Sequence, residues 1–178
     1  NLGWPGDDVF GTARAEFDDG RNTRAWESGP RDGAGYKALL QHVNRSKATT
    51  MLVGYGSSVA FGSDHGLSLK NFQEGYTRLT DALAANGAKL ILMTPPKQEV
   101  TAPAVPDLAD RNRRLGEAAN FIRDFGARKG YQDVDLYTKL AAPEGENWTE
   151  NGLHFKEAGY RQLAAILLAD LGLVNRFG

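Results

Sequence analysis

Two rhythms of apolar residues alternate along this chain, one of helices and one of short buried strands. Tyr36, Leu39, Leu40 and Val43 fall at i, i+3, i+4 and i+7, the spacing of one helical face. His42 stands beside that stripe and reads as a structural or solvated side chain. The run Thr49 to Tyr55, TTMLVGY, is short and β-rich and predicts a buried strand leading into the turn Gly56-Ser57-Ser58-Val59. Phe72, Tyr76, Leu79 and Leu83 predict a second helix, stopped at Asn86-Gly87. Lys89 to Thr94, KLILMT, predicts a second strand. Pro95 to Pro106 contains four prolines and predicts a loop over that strand's end. Asp107 is placed to N-cap a long helix with Leu108, Leu115, Ala119 and Ile122 on one face, ended by Gly130. The pairs Asp107/Arg111, Asp110/Arg114 and Arg113/Glu117 are spaced i, i+4 and suit a solvated face. Tyr131 to Leu136 predicts a third strand, a loop follows to Gly152, and a last helix turns Tyr160, Ala164, Leu167 and Leu171 inward.

Short apolar strands alternating with helices form a parallel sheet, covered on both faces by right-handed crossovers. The expectation is a single α/β domain over residues 1–178, its three strands neighbours in chain order. The strand Thr49–Tyr55 should be an edge, with Met51 or Val53 poorly covered. Ligands of such sheets bind outside the C-terminal strand ends. The Gly56–Ser58 turn, the proline loop and the loop holding His154 all fall there.

Composition narrows the function classes. Apolar residues make up 41% and charged residues 24%, which suits a globular domain with a sizeable core. A net charge of -1 argues against a nucleic-acid partner, which calls for a basic patch against phosphates. No apolar run approaches the ~20 residues of a membrane span. The absence of cysteine removes thiol catalysis, disulfides and thiolate metal sites, and leaves the redox compartment open. No metal site or cofactor is expected.

The chemistry concentrates near the C-terminus. Glu150-Asn151-Gly152-Leu153-His154-Phe155-Lys156-Glu157-Ala158-Gly159-Tyr160 presents one of only three histidines in a glycine-containing turn directly ahead of a helix. An imidazole titrates near neutral pH, so a loop-held histidine can move protons in catalysis. At the other end, Gly6-Asp7-Asp8 sits in a turn-rich stretch where a glycine N–H can approach a ligand closely.

Together these residues resemble the SGNH (GDSL) hydrolases. NLGWPGDD is similar to that family's glycine block, with Gly6 at the oxyanion glycine. LVGYGSSVAF is similar to its asparagine block, with Ser58 at the oxyanion asparagine, and NGLHFKEAGY is similar to its histidine block. The resemblance runs from Asn1 to about Gly172. It implies a flavodoxin-like three-layer α/β/α fold with a parallel sheet, incomplete at its N-terminal strands. It also implies a serine hydrolase acting on an acyl or acetyl ester of a carbohydrate or small molecule. Three departures accompany it. The glycine-aspartate-serine nucleophile block is missing and would lie upstream of Asn1. Ser58 replaces asparagine. Asn151 stands three before His154 where aspartate is usual, with Glu150 adjacent as a substitute carboxylate. A binding module without catalysis, for carbohydrate or a protein partner, is the alternative that these departures imply.

Overall fold

A computed structural model of the chain describes residues 7–10, 34–62, 67–101, 104 and 106–174. In chain order the elements are α1 (Ala34–Ser46), β1 (Thr50–Val53), a 3₁₀ helix (Ser57–Phe61), α2 (Leu69–Ala84), β2 (Lys89–Met93), α3 (Leu108–Lys129), β3 (Gln132–Val134), the single turn α4 (Leu136–Lys139) and α5 (Glu157–Asp170). The three strands are parallel and lie in the order β1-β2-β3, with Leu52 opposite Ile91 and Met93 opposite Val134. This is the α/β architecture that the alternating pattern predicts.

The strand alternation divides the core in two. Leu90 and Leu92 of β2 join Val53 and the inward stripes of α1, α2 and α3: Tyr36, Leu39 and Val43; Phe72, Tyr76, Leu79 and Leu83; Leu115 and Ile122. Ile91 points the other way, into a smaller cluster with Val134, Leu136, Leu140 and Ile166 of α5. Successive side chains on a strand point to opposite faces, so β2 feeds both clusters. Its apolar run has no polar position facing outward for that reason.

Among the described residues β1 is an outer strand, but the poorly covered residue is not the one expected. Val53 is buried at 2% exposure and Met51 is half-buried, whereas Leu52 is 53% exposed. Met51 and Val53 lie on the side of the large cluster. Leu52 shares the side of Ile91, where α5 packs beside β3 and does not extend over β1.

Three helix details also depart from the sequence pattern. Asp107 occupies the N-cap position of α3 in the left-handed region (φ 53), and its side chain makes no capping bond. Its carbonyl instead accepts from the Arg111 N–H at 2.9 Å. Arg111 makes no ion pair with Asp107 and lies over the Phe61 ring, 5.0 Å from its centre. In α5 the inward face is Gly159, Leu163, Ile166 and Leu167, with Leu171 packed on the same cluster at its end. Leu167 and Leu171 are as expected, whereas Tyr160 is 61% exposed and Ala164 is also exposed. The phase is set by Gly159, where a Cβ would fall 2.4 Å from the Trp148 carbonyl oxygen. Only a residue without a side chain can face that contact, so Gly159 and not Tyr160 turns inward.

β3 is shorter than predicted because Asp135 ends it. Its carboxylate accepts from the Thr138 N–H (3.2 Å) and the Thr94 hydroxyl (3.2 Å), and pairs with Arg123 of α3 at 2.5 Å. Burial pushes this carboxyl up, but the hydrogen bonds from Thr138 and Arg123 and the Arg123 charge outweigh it and hold it below the usual aspartate range.

Two measurements check this description. Gly75 of α2 faces Val9, and an added Cβ would lie 2.5 Å from Val9 Cγ2. Gly75→Ala is expected to cost about 1–3 kcal/mol in chemical denaturation, as overpacking does, despite alanine's better helix propensity. A group with a lowered folded-state pKa stabilises the fold above its unfolded-state value, and that contribution fades as pH falls through the folded-state value. Asp135→Asn is therefore expected to cost about 1–3 kcal/mol at neutral pH. Its deficit against the wild type should shrink as pH is lowered below ~4. A deficit independent of pH across that window would reject the charged role of Asp135.

Candidate active site

The turn that carries His154 is built as a closed loop. Lys156 N–H donates to the Trp148 carbonyl and Glu150 N–H to the His154 carbonyl, both at 2.8 Å, and Thr149 bridges Phe155 in antiparallel fashion. Beneath it, the Trp148 and Phe155 rings pack on the smaller core cluster. Gly152 reverses the chain at φ 84, a conformation that L side chains rarely adopt.

Within the loop, Asn151 organises His154. Its Oδ1 accepts from the N–H groups of Leu153 (3.2 Å) and His154 (2.9 Å). The His154 ring Nδ1 lies 3.1 Å from that oxygen and 2.9 Å from Asn151 Nδ2. When Nδ1–H donates to Oδ1, Nε2 keeps its lone pair and can accept a proton. When Nδ2 donates to Nδ1, Nε2 carries the hydrogen and cannot. A carboxylate offers acceptors only and would select the first tautomer; an asparagine serves both. Glu150 is exposed and makes no ion pair with His154, although its backbone closes the loop.

Ser58 sits on a different element, the 3₁₀ helix after β1. It is half-buried, its carbonyl accepts from the Leu67 N–H at 3.3 Å, and its hydroxyl makes no hydrogen bond among the described residues. Arg114 of α3 holds this helix by donating from Nε (3.0 Å) and Nη2 (2.6 Å) to the Ala60 carbonyl, while its Nη1 pairs with Asp110. The i, i+4 spacing of Asp110 and Arg114 suggested a solvated pair only. The long-range half of Arg114's bonding has no local signal in sequence.

The loops after β1 and β2 meet at Gly56, where a Cβ would lie 3.1 Å from a Pro95 ring carbon. The loop after β2 in turn is bonded to the histidine turn through Glu99 and Asn147, whose Nδ2 donates to the Val100 carbonyl at 2.7 Å. The Ser58 and His154 elements thus share the C-terminal end of the sheet, with the proline loop between them. Gly6 lies outside the described residues. Asp7 and Asp8, which follow it, run beside Tyr55: burial and the two carboxylates push its phenol up to about 12.

Among the described residues no group of three His, Asp or Glu side chains is arranged to hold a metal ion, and no helix is long and apolar enough to cross a membrane.

A comparison with curated proteins found no match. Among solved structures the chain is similar to a lipase/acylhydrolase from Enterococcus faecalis, at 23% identity over 78% of this chain and 68% of that one, with a TM-score of 0.62. It is similar also to a catalytic mutant of an acetylxylan esterase from Geobacillus stearothermophilus, at 17% identity over 94% and 68% of the two chains and a TM-score of 0.60. A peptidoglycan O-acetylesterase matches at 16% identity over 79% of this chain and 42% of its own, with a TM-score of 0.60. These likenesses carry the fold. The GDSL-like lipase/acylhydrolase family model matches residues 2–162, nearly the whole length over which the glycine, asparagine and histidine blocks were read, and the chain belongs to that family.

Proposed function

We propose that this chain supplies the base and the oxyanion donors of a serine ester hydrolase acting on an acyl or acetyl ester, of a carbohydrate or a small molecule. The observation that carries the reading is the Asn151–His154 pair, an imidazole aligned by an amide in a hydrogen-bonded turn beyond the strand ends. The names of the similar structures, an acetylxylan esterase and a peptidoglycan O-acetylesterase, support carbohydrate acetyl esters as the substrate class.

In this reading the nucleophile is the serine of the glycine-aspartate-serine block, which is not among these 178 residues. Its hydroxyl attacks the ester carbonyl while His154 Nε2 takes the proton. The Gly6 N–H and the Ser58 hydroxyl donate to the oxyanion, each donor worth ~3 kcal/mol in such sites. Collapse of the tetrahedral intermediate expels the alcohol, which receives the proton from His154. Water then repeats the sequence on the acyl-serine and releases the acid. Ser57 and Ser58 do not serve as nucleophiles here, since they lack the G-x-S-x-G elbow that holds a serine outward.

The test is turnover of 4-nitrophenyl acetate and of acetylated xylo-oligosaccharides by a protein in which the serine block precedes this chain. His154→Ala is expected to lower kcat by at least about 10³-fold. Asn151→Asp should raise turnover, by up to about 10⁴-fold, because a carboxylate selects the productive tautomer and stabilises the imidazolium. Ser58→Asn should preserve or raise it. The 178-residue chain alone should show no serine-dependent turnover. Such turnover from the short chain would refute the assignment of the nucleophile. Absence of turnover in the serine-bearing protein, with carbohydrate binding retained, would favour a binding module, the reading that Asn151 and Ser58 in place of aspartate and asparagine already make the second choice.

A further inference from the structure

The carboxylate of Glu99 gathers three donors from a segment about fifty residues away in sequence. Its Oε1 accepts from the Trp148 N–H at 2.9 Å, and its Oε2 from the Thr149 N–H at 2.8 Å and from the Thr149 hydroxyl. Thr149 is buried at 2% exposure, and its hydroxyl oxygen accepts in turn from the Gly152 N–H at 3.0 Å. The Glu99 N–H closes the circuit by donating to the Gly152 carbonyl at 3.3 Å. Gly152 directly follows Asn151, the residue whose amide aligns the His154 ring.

The other end of this chain of bonds is fixed to a long helix. Asn112 of α3 accepts from the Gln98 N–H at 2.8 Å and donates to the Gln98 carbonyl at 2.9 Å, a two-point grip on the residue next to Glu99. A continuous path of hydrogen bonds and peptide links therefore runs from α3 through Gln98, Glu99, Thr149 and Gly152 to Asn151 and His154. Among the described residues, the hydrogen bonds of the His154 ring go to Asn151 alone. A charged acceptor satisfying three donors is a strong and directional anchor.

We propose that Glu99 is the positioning residue for His154: it sets where the histidine turn stands relative to the proline loop, and so where the imidazole meets the reacting ester. That purpose rests on the hydrolase reading above; the mechanical coupling itself does not. Misplacing a catalytic group by about 1 Å costs on the order of 10²-fold in rate, so the anchor bears on kcat more than on substrate binding.

The test compares Glu99→Ala, Glu99→Gln, Thr149→Val and Thr149→Ser by amide hydrogen exchange and by the ¹⁵N signals of the His154 ring. It is paired with ester turnover in the serine-bearing protein. Glu99→Ala and Thr149→Val should speed exchange at Gly152 by roughly 10- to 100-fold. They should also shift the His154 ring signals and lower kcat by about 10²-fold with little change in KM. Glu99→Gln retains one acceptor oxygen in place of two and should fall between, and Thr149→Ser, which keeps the hydroxyl, should behave as the wild type. Unchanged Gly152 exchange and His154 signals in both Glu99→Ala and Thr149→Val would overturn the proposal. If Glu99→Ala does not fold, Thr149→Val and Glu99→Gln decide by the same measurements. A protein inactive in every variant, yet with the exchange and ring signals moving as described, would overturn the hydrolase reading and leave the coupling of Glu99 to His154 standing.

Discussion

Burial of β2 on both faces is the constraint from which the rest of the molecule follows. Leu90 and Leu92 commit one side to α1, α2 and α3, and Ile91 commits the other to α5 and the segment after β3. A strand buried on both sides tolerates no register slip, because moving by one residue would exchange the two clusters. Its pairing with β1 on one side and β3 on the other then sets the heights at which all three strands end. The loops that leave those ends have nowhere to go but the same rim.

That rim is assembled by long-range polar bonds on an apolar footing. Arg114 grips the Ala60 carbonyl, Asn112 grips Gln98, and Glu99 grips the Trp148–Thr149 backbone. Two of these three anchors stand on α3, whose buried stripe of Leu115, Ala119 and Ile122 fixes the helix on the sheet. The helix thus serves twice, with one face in the core and the adjoining flank steering two loops. Trp148 and Phe155 then seat the histidine turn on the smaller cluster, so hydrophobic burial sets its depth and hydrogen bonds set its orientation. Glu99 and Arg114 are half-buried, and each bonds backbone groups of another loop, so their bonds fix geometry.

The histidine turn shows how one position alters chemistry without altering shape. Asn151 reproduces the Asx-type capping of the Leu153 and His154 N–H groups that an aspartate would make. The difference is electrostatic and tautomeric, since an amide presents both a donor and an acceptor to the ring. The backbone of the turn is therefore compatible with either residue, and what the exchange changes is which hydrogen-bonding groups face the His154 ring.

From the sequence alone, the helix stripes Tyr36 to Val43, Phe72 to Leu83 and Leu115 to Ile122 were legible, as were the three strands, their parallel order and the histidine turn, because periodicity reports which face each element buries. The family was legible too, because the stretches that carry the resemblance are short and local. In α5 the pattern holds for Leu167 and Leu171 but not for the first turns, since Tyr160 looks like a core residue and Gly159 does not; the close approach of the Trp148 carbonyl decides it. The pattern points to Met51 or Val53 as the poorly covered residue of β1, whereas Leu52 is the exposed one, because cover depends on which face of the strand the helices reach. Arg114, Asn112 and Glu99 gave no signal as anchors, because their partners lie 14 to 54 residues away and accept or donate through the backbone, which is chemically the same at every position. Local pattern determines which residues are buried and which turn carries the histidine; which polar side chain holds that turn in place is decided only when the folded sheet brings the strand-end loops together.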